Sequence, residues 1–372
     1  MDFFTLNEYK SSSQYILFFE GLIKQEKVTK DAFLSDLGIS TSSFRRSKLE
    51  DSKIGQQIIK ILAEHYKVNL VNEDDFNQMS RLVNDIYIDI FYKIYDRYDE
   101  YLEKTKELEK KNDLYFPIYK LLKVFLQYNS RFDVGKTIDY VKDDYEILKK
   151  YQNYFSEELK IIYDIVEVHH VDIDNLDVNS LKKNNPIAMA ALALLTYLDK
   201  KYYKSLHYCK AVKEMFLKES NYKRVLYVDS TILNNLSFIG EFEEYYRLAK
   251  RDYYSAISFG FDKNLQYMFN TFTKHYAIST IALKKFDETI LLLGNKESMT
   301  ITEAYCLVIA KYYTSDNFNE WFMESLGNLS EKWSVLNDLI NYLKNPTNQN
   351  FALIKHDQLM ISIYNAINFI KE

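Results

Sequence analysis

Hydroxyl and cationic side chains crowd into one short stretch: Ser40, Thr41, Ser42, Ser43, Arg45, Arg46 and Lys48, within KDAFLSDLGISTSSFRRSKL at residues 30–49. Such groups suit the surface of duplex DNA, where hydroxyls and guanidinium forks meet base edges and cations meet phosphates. To do so they must project from one element whose other side is anchored. Phe33 and Leu37 stand four apart on one face of a first short helix. Gly38 follows where the chain must reverse, and a left-handed backbone there costs glycine little. Ile39 closes the corner, Ser40 or Thr41 caps a second helix, and Phe44 returns to the core. The layout is that of a helix-turn-helix. Leu34 and Ser47 depart from its usual pattern, occupying places where such motifs put a small and an apolar residue. Without DNA, the same residues make a plain helical hairpin.

The flanks supply a scaffold. Tyr15, Leu17, Phe18, Leu22 and Ile23 predict an amphipathic helix upstream, and Ile54, Ile58, Ile59, Leu62, Ala63 and Tyr66 predict a closing helix downstream. Residues 1–70 are therefore expected to form a small DNA-binding bundle, with a linker near residues 67–76. Net charge is −5. It is unevenly spread: residues 1–70 carry ten Lys/Arg against nine Asp/Glu, and residues 71–372 carry 38 against 44. That favours a nearly neutral module with a local basic patch, suited to a dimer reading two half-sites.

Only three prolines and eight glycines punctuate 372 residues, so the chain is expected to be almost wholly helical. Residues 76–101 predict one long helix with Leu82, Ile86, Ile90 and Ile94 on a face, and the charged run after it reads as a solvated helix end. The 33 tyrosines and 24 phenylalanines suit wide contacts between stacked helices. Cys209 and Cys306 sit in apolar helical patterns and read as buried thiols of a reducing cytoplasm rather than a disulfide. No apolar run reaches the roughly twenty residues of a membrane span, and no charged-then-apolar leader opens the sequence. The longest candidate, Ile187 to Leu198, reads as a core helix.

From about Leu114 helix pairs recur at roughly forty-residue spacing. The junctions at 194–209, 233–249 and 278–293 each place an aromatic (Tyr203, Phe242, Phe286) after a short polar break, and Phe132 marks an earlier one. This pattern predicts stacked helical hairpins of tetratricopeptide-like form over residues 71–372, with a concave groove between them. Two further helices are expected between Leu329 and Glu372, separated by KNPTNQN at 344–350, with a role in dimerisation.

A helix-turn-helix followed by degenerate helical repeats resembles the peptide-pheromone receptors of Gram-positive bacteria and their phages, the Rgg, PlcR, PrgX and arbitrium-receptor families. The resemblance is one of architecture and spans nearly the whole chain. It implies a dimeric, cytoplasmic transcription regulator whose repeat domain binds a short signalling peptide, with altered binding to a double-stranded operator as the output. Asparagines on groove-lining helices grip peptide backbone in those families, since an amide both donates and accepts. Asn234, Asn235 and Asn270 are the candidates here, with Arg224, Lys274 and His275 placed to read a carboxylate.

Enzyme chemistry finds no such pattern: there is no Walker loop, nucleophile elbow, HExxH or paired CxxC. His169 and His170, followed by Asp172 and Asp174, suggest a metal, yet adjacent helical histidines diverge by about 100° and cannot share one ion. No catalytic residue, metal or cofactor is expected. Two other readings remain open, a repeat scaffold that docks protein through its N-terminal helices, and a regulator sensing phosphorylation or a metabolite.

Overall fold

The computed structural model describes residues 3–345, apart from 50–51, 95, 130–133, 177, 179–180, 182–184, 259–262, 297 and 327–329. Every regular element among the described residues is a helix, and an isolated bridge between Asn69 and Asp113 supplies their extended pairing. The expectation of an all-α chain is met. The chain divides into two compact units, Met1–Leu195 and Thr196–Glu372.

In the first unit a short 3-10 turn, Asn7–Lys10, leads into α1 (Ser12–Ile23), α2 (Lys30–Asp36), α3 (Thr41–Ser47) and α4 (Lys53–Tyr66). Each of the four starts on a hydroxyl, Ser11, Thr29, Ser40 and Ser52, which accepts a hydrogen bond from a first-turn amide and so satisfies one of the unpaired donors there. Phe19, Phe33, Leu34, Phe44, Ile58, Ile59 and Leu62 are buried along them, and Phe18 packs on Tyr151 and Tyr154. The inner face of α1 differs from expectation: Ile16 and Phe19 are fully buried, while Tyr15, Leu17 and Leu22 are half-buried. Ile54 is exposed, and Tyr66 reaches out to donate to Glu26 at 2.9 Å.

These helices are tied to the rest of the first unit. The Tyr9 hydroxyl donates to the Tyr154 carbonyl (3.0 Å) and accepts from the Ser156 amide (2.8 Å). Gln14 donates to the same carbonyl, and the Tyr154 hydroxyl donates to that of Leu114 at 2.7 Å. Asn84 exchanges hydrogen bonds with both backbone groups of Phe4, at 2.9 and 3.1 Å. The segment expected to be a linker is itself pinned. The Asn69 amide donates to the Asn112 carbonyl (3.0 Å), and the Asn69 and Asn112 side chains donate to the carbonyls of Lys111 and Lys67. The helices of residues 7–66 thus lie within a compact unit that runs to residue 195.

That unit continues with α5 (Glu73–Phe91), α6 (Tyr98–Glu109), α7 (Phe116–Asn129), α8 (Val134–Lys150), a 3-10 turn Gln152–Tyr154 and α9 (Glu157–Glu167). The single long helix expected over 76–101 is two. Lys93 takes a left-handed φ of 56°, and the Ile94 amide bonds back to Asp89 at 2.8 Å, closing α5. Asp89 is buried and holds the returning strand of chain through Arg97 and the Tyr101 hydroxyl. No glycine or proline marks this break, which is why the pattern hid it. The charged run is also less solvated than expected: Glu109 and Asp144 bracket Lys120 and Lys123 at 2.6–2.8 Å.

Helix α10 (Pro186–Leu198) carries the division between units. The second unit holds α11 (Tyr202–Lys218), α12 (Tyr222–Ile239), α13 (Phe242–Ser258), α14 (Lys263–Ala282), α15 (Phe286–Leu293), α16 (Ile301–Thr314), α17 (Phe318–Leu326) and α18 (Ser330–Lys344). Helices α11 and α12 run against each other, as do α13 and α14, and α14 touches both α12 and α16. One turn recurs: Lys200, Ser220, Gly240 and Lys284 all have positive φ, each two residues before the next helix. In each, the following amide bonds five residues back, Lys201 to Thr196, Asn221 to Phe216, Glu241 to Leu236 and Lys285 to Thr280, at 2.8–3.1 Å. This is the helix-ending closure that glycine usually serves, achieved here three times in four by other residues. The aromatic expected at Tyr203 is 72% exposed; its neighbour Tyr202 opens the helix and stacks on Phe238 at 4.8 Å. Phe132 and residues 346–372, including most of the expected dimerisation segment, lie outside the described residues. Among the described residues no helix is long and apolar enough to cross a membrane.

Candidate functional site

Helix α3 is short, and its two sides are sharply different. Phe44 is fully buried and Ser47 nearly so, while Ser42, Arg45 and Arg46 are exposed. The turn before it is built as the sequence implies: Gly38 has φ 69°, the Ile39 amide bonds to Leu34 at 2.8 Å, and Ile39 is buried. The two departures from the usual pattern fit together physically. Leu34 is fully enclosed. Ser47 sends its hydroxyl back to the Ser43 carbonyl at 2.9 Å, and its Cβ lies 3.5 Å from where a Cβ on Gly55 would stand. A small residue at each of these last two places lets α3 and α4 meet closely.

The seven candidate DNA-contacting residues separate into two groups. Ser42, Arg45 and Arg46 point outward. Ser40 caps α3, accepting from the Ser43 amide at 3.1 Å and donating to the Ser43 hydroxyl at 2.8 Å. The Thr41 hydroxyl donates to Asp31 at 3.0 Å. Lys48 is half-buried and ion-paired with Glu20 at 3.0 Å, and Lys30 joins the same carboxylate at 2.7 Å while sitting 4.6 Å from the Phe44 ring centroid. Burial pushes the Glu20 carboxyl up, but hydrogen bonds and charge from Lys30 and Lys48 outweigh it and hold the group below the usual range. Glu20 thus clamps α1 to the start of α2 and the end of α3. Its partners lie 10 and 28 residues away, so no local spacing could have singled it out.

The six peptide-binding candidates divide likewise. Asn234, Asn270 and Lys274 are half-exposed on α12 and α14. Arg224, Asn235 and His275 are interior. Arg224 lies over the Phe216 ring at 5.9 Å. Asn235 donates to Ser205 and to the Thr231 carbonyl, at 2.9 and 2.8 Å. His275 bonds the Tyr245 hydroxyl at 2.9 Å, and burial, with some help from Lys274, drives its pKa down to about 3. A neutral, enclosed imidazole does not read a carboxylate, so the structure assigns His275 to the core.

No family model, curated protein or solved structure matches this chain.

His169 and His170 sit in the turn after α9, each stacked flat on a tyrosine: His169 on Tyr128 at 4.1 Å and His170 on Tyr145 at 3.9 Å. Burial lowers both to about 4, so they are neutral at pH 7. Among the described residues no group of three or more His, Cys, Asp or Glu side chains is disposed to hold a metal. Cys209 and Cys306 are both buried free thiols, and burial pushes that of Cys209 up to about 12.

Proposed function

We propose that α2 and α3 form a helix-turn-helix that reads a DNA major groove, and that the chain is a dimeric transcription regulator. The observation that carries this reading is the polarity of α3, which buries Phe44 and Ser47 and presents Ser42, Arg45 and Arg46 to solvent. A seven-residue helix with that face, set on a bundle by a capped N-terminus, matches what groove reading requires. Lys48 belongs to the support of α3 and contributes to the field over the phosphates rather than to base contact. The second unit, read as a tetratricopeptide-like stack, would take a short signalling peptide along α12, α14 and α16, with Asn234, Asn270 and Lys274 as the accessible contacts. Selection of DNA from a random library by the full chain, with and without Arg45→Ala and Arg46→Ala, tests the first half. A recovered two-half-site sequence that the variants lose supports a regulator; a folded chain that recovers no sequence rejects it.

One observation favours a second reading. Leu49, at the end of α3, is 82% exposed, and Ile54 at the start of α4 is exposed as well. An apolar edge beside two arginines also suits a protein partner. Selection of one DNA sequence separates the two, because a docking bundle selects none, whereas salt-dependent attraction to phosphates is common to any basic surface.

A further inference from the structure

Helices α8 and α9 open onto a cleft of about 520 Å³. That volume lies within the range of small-ligand sites. Lys142, Tyr145, Glu146 and Lys149 line it from a single face of α8, at spacings of three and four residues. Gln152 continues this wall, Tyr163 and Glu167 face it from α9, and the turn His169–Val171 closes it. Tyr145 and Tyr163 are buried, with ring centroids 6.5 Å apart. Lys149 pairs with Glu146 at 3.1 Å and lies 5.7 Å from the Tyr145 centroid.

We propose that this cleft binds a small zwitterion, a free amino acid or a short peptide with free termini, its carboxylate toward Lys142 and Lys149, its ammonium toward Glu167, and its apolar part on Tyr145. Charge decides the class. The lining carries two lysines and two glutamates, so a simple anion meets Glu146 and Glu167, and a simple cation meets Lys142 and Lys149. Lys142 and Lys149 lie on α8, where Glu146 already pairs with Lys149, and Glu167 stands across the cleft on α9. Glu167 is half-buried, and burial raises its pKa; among the described residues no cation is paired with it, and a ligand ammonium would bring that counter-charge. His169, one of the lining residues, has an enclosed Nδ1 that no group among the described residues satisfies. Such an atom costs stability unless something pairs with it. The cavity accommodates a ligand of about two or three residues.

The same stretch of chain touches α1. Immediately beside Lys149 and Gln152, the Lys150 carbonyl and the Tyr151 ring press on Gly21, Tyr151 stacks on Phe18 at 5.6 Å, and Lys150 donates to Gln25 at 3.3 Å. A ligand that fixes Lys149 and Gln152 therefore acts one residue away from the seat of α1. Occupation of this cleft requires no DNA contact at α3.

Titration calorimetry of the full chain tests it, with tyrosine, alanyl-tyrosine and alanyl-alanyl-tyrosine, each with free termini and each acetylated and amidated. The free forms are expected to bind and the capped forms to bind at least tenfold more weakly. Glu167→Gln, whose apo thermal midpoint should be unchanged or higher because a strained carboxylate is removed, and the surface variant Lys142→Ala should each weaken the free forms at least tenfold. Amide exchange in α1 should slow when ligand is bound. A folded chain that binds none of the free forms, equal binding of free and capped forms, or full binding by Glu167→Gln overturns the proposal.

Discussion

Gly21 on α1 lies against the ring of Tyr151, so closely that a Cβ on the glycine would come within 2.5 Å of a ring carbon and 3.1 Å of the Lys150 carbonyl. The approach fixes the first helical bundle to the end of α8. Tyr151 has little room to yield, being buried and stacked on Phe18. Gly21→Ala should therefore destabilise the first unit, although alanine is the better helix former by about 1 kcal/mol. Overpacking of this kind costs about 1–3 kcal/mol, so a net loss of up to about 2 kcal/mol is expected, read as a lower melting midpoint. A variant as stable as the parent would show that the contact relaxes freely.

The buried carboxylates of the second unit give a pH dependence. Asp252 pairs with Arg251, but its Oδ2 has no hydrogen-bond partner among the described residues, and Asp229 on α12 holds both Lys213 and Arg251 at 2.5 Å. Burial, and then the charge of Asp229, raise Asp252 to about 7 against the opposing pull of Arg251 and Lys213. A carboxyl raised on folding favours the folded state below its unfolded value of 3.8 and loses that contribution as pH climbs through about 7. Asp252→Asn should thus raise the melting midpoint at pH 8 by about 2–4 °C and leave it nearly unchanged at pH 4. A larger gain at pH 4 than at pH 8 would contradict the assignment.

Much of this architecture is legible in the residues. The turn at Gly38 and the buried Phe33, Ile39 and Phe44 follow from spacing alone, because each obeys a local rule. What escapes the sequence is non-local or replaces a usual residue. The break after Phe91 has no glycine, since Lys93 takes the left-handed position and the buried Asp89 stabilises the return through Arg97 and Tyr101. Tyr203 and Tyr202 are adjacent aromatics, and only packing against Phe238 distinguishes them. Asn235 and His275 have polar side chains that a sequence places at a surface, and their partners Ser205 and Tyr245 lie 30 residues away. Glu20 is hidden for the same reason.

The recurring turn offers a test of backbone strain alone. Lys284 has φ 57° and Gly240 has φ 82° at equivalent places, and nothing within 4 Å would touch a Cβ at Gly240. An L-residue in this region costs about 1–2 kcal/mol, and glycine returns part of that through its freer unfolded chain. Lys284→Gly should stabilise the second unit by about 0.5–1 kcal/mol, and Gly240→Ala should destabilise it by about 1 kcal/mol. Chemical denaturation of both variants checks the pair; changes of the same sign would show that side-chain contacts, not φ, govern the turn.

The exposed and clamped cations of α3 should behave differently on substitution. Arg45 and Arg46 project into solvent, so Arg45→Ala and Arg46→Ala should alter stability by no more than about 0.5 kcal/mol. If they meet DNA, each should weaken binding and flatten its salt dependence by about one unit of slope for every phosphate left without its cation. Lys48→Ala instead removes one of two cations from Glu20, whose carboxylate has only 11% of its side chain exposed. Its first effect should be on the seat of α3, seen as a lower melting midpoint without DNA, with loss of affinity following from that. Glu20→Gln distinguishes the roles further. It releases Lys30 and Lys48 from the clamp without removing a cation, so it should lower the melting midpoint while leaving or increasing nonspecific affinity for DNA at low salt. Equal stability for Arg46→Ala and Lys48→Ala would refute the division between presented and supporting residues.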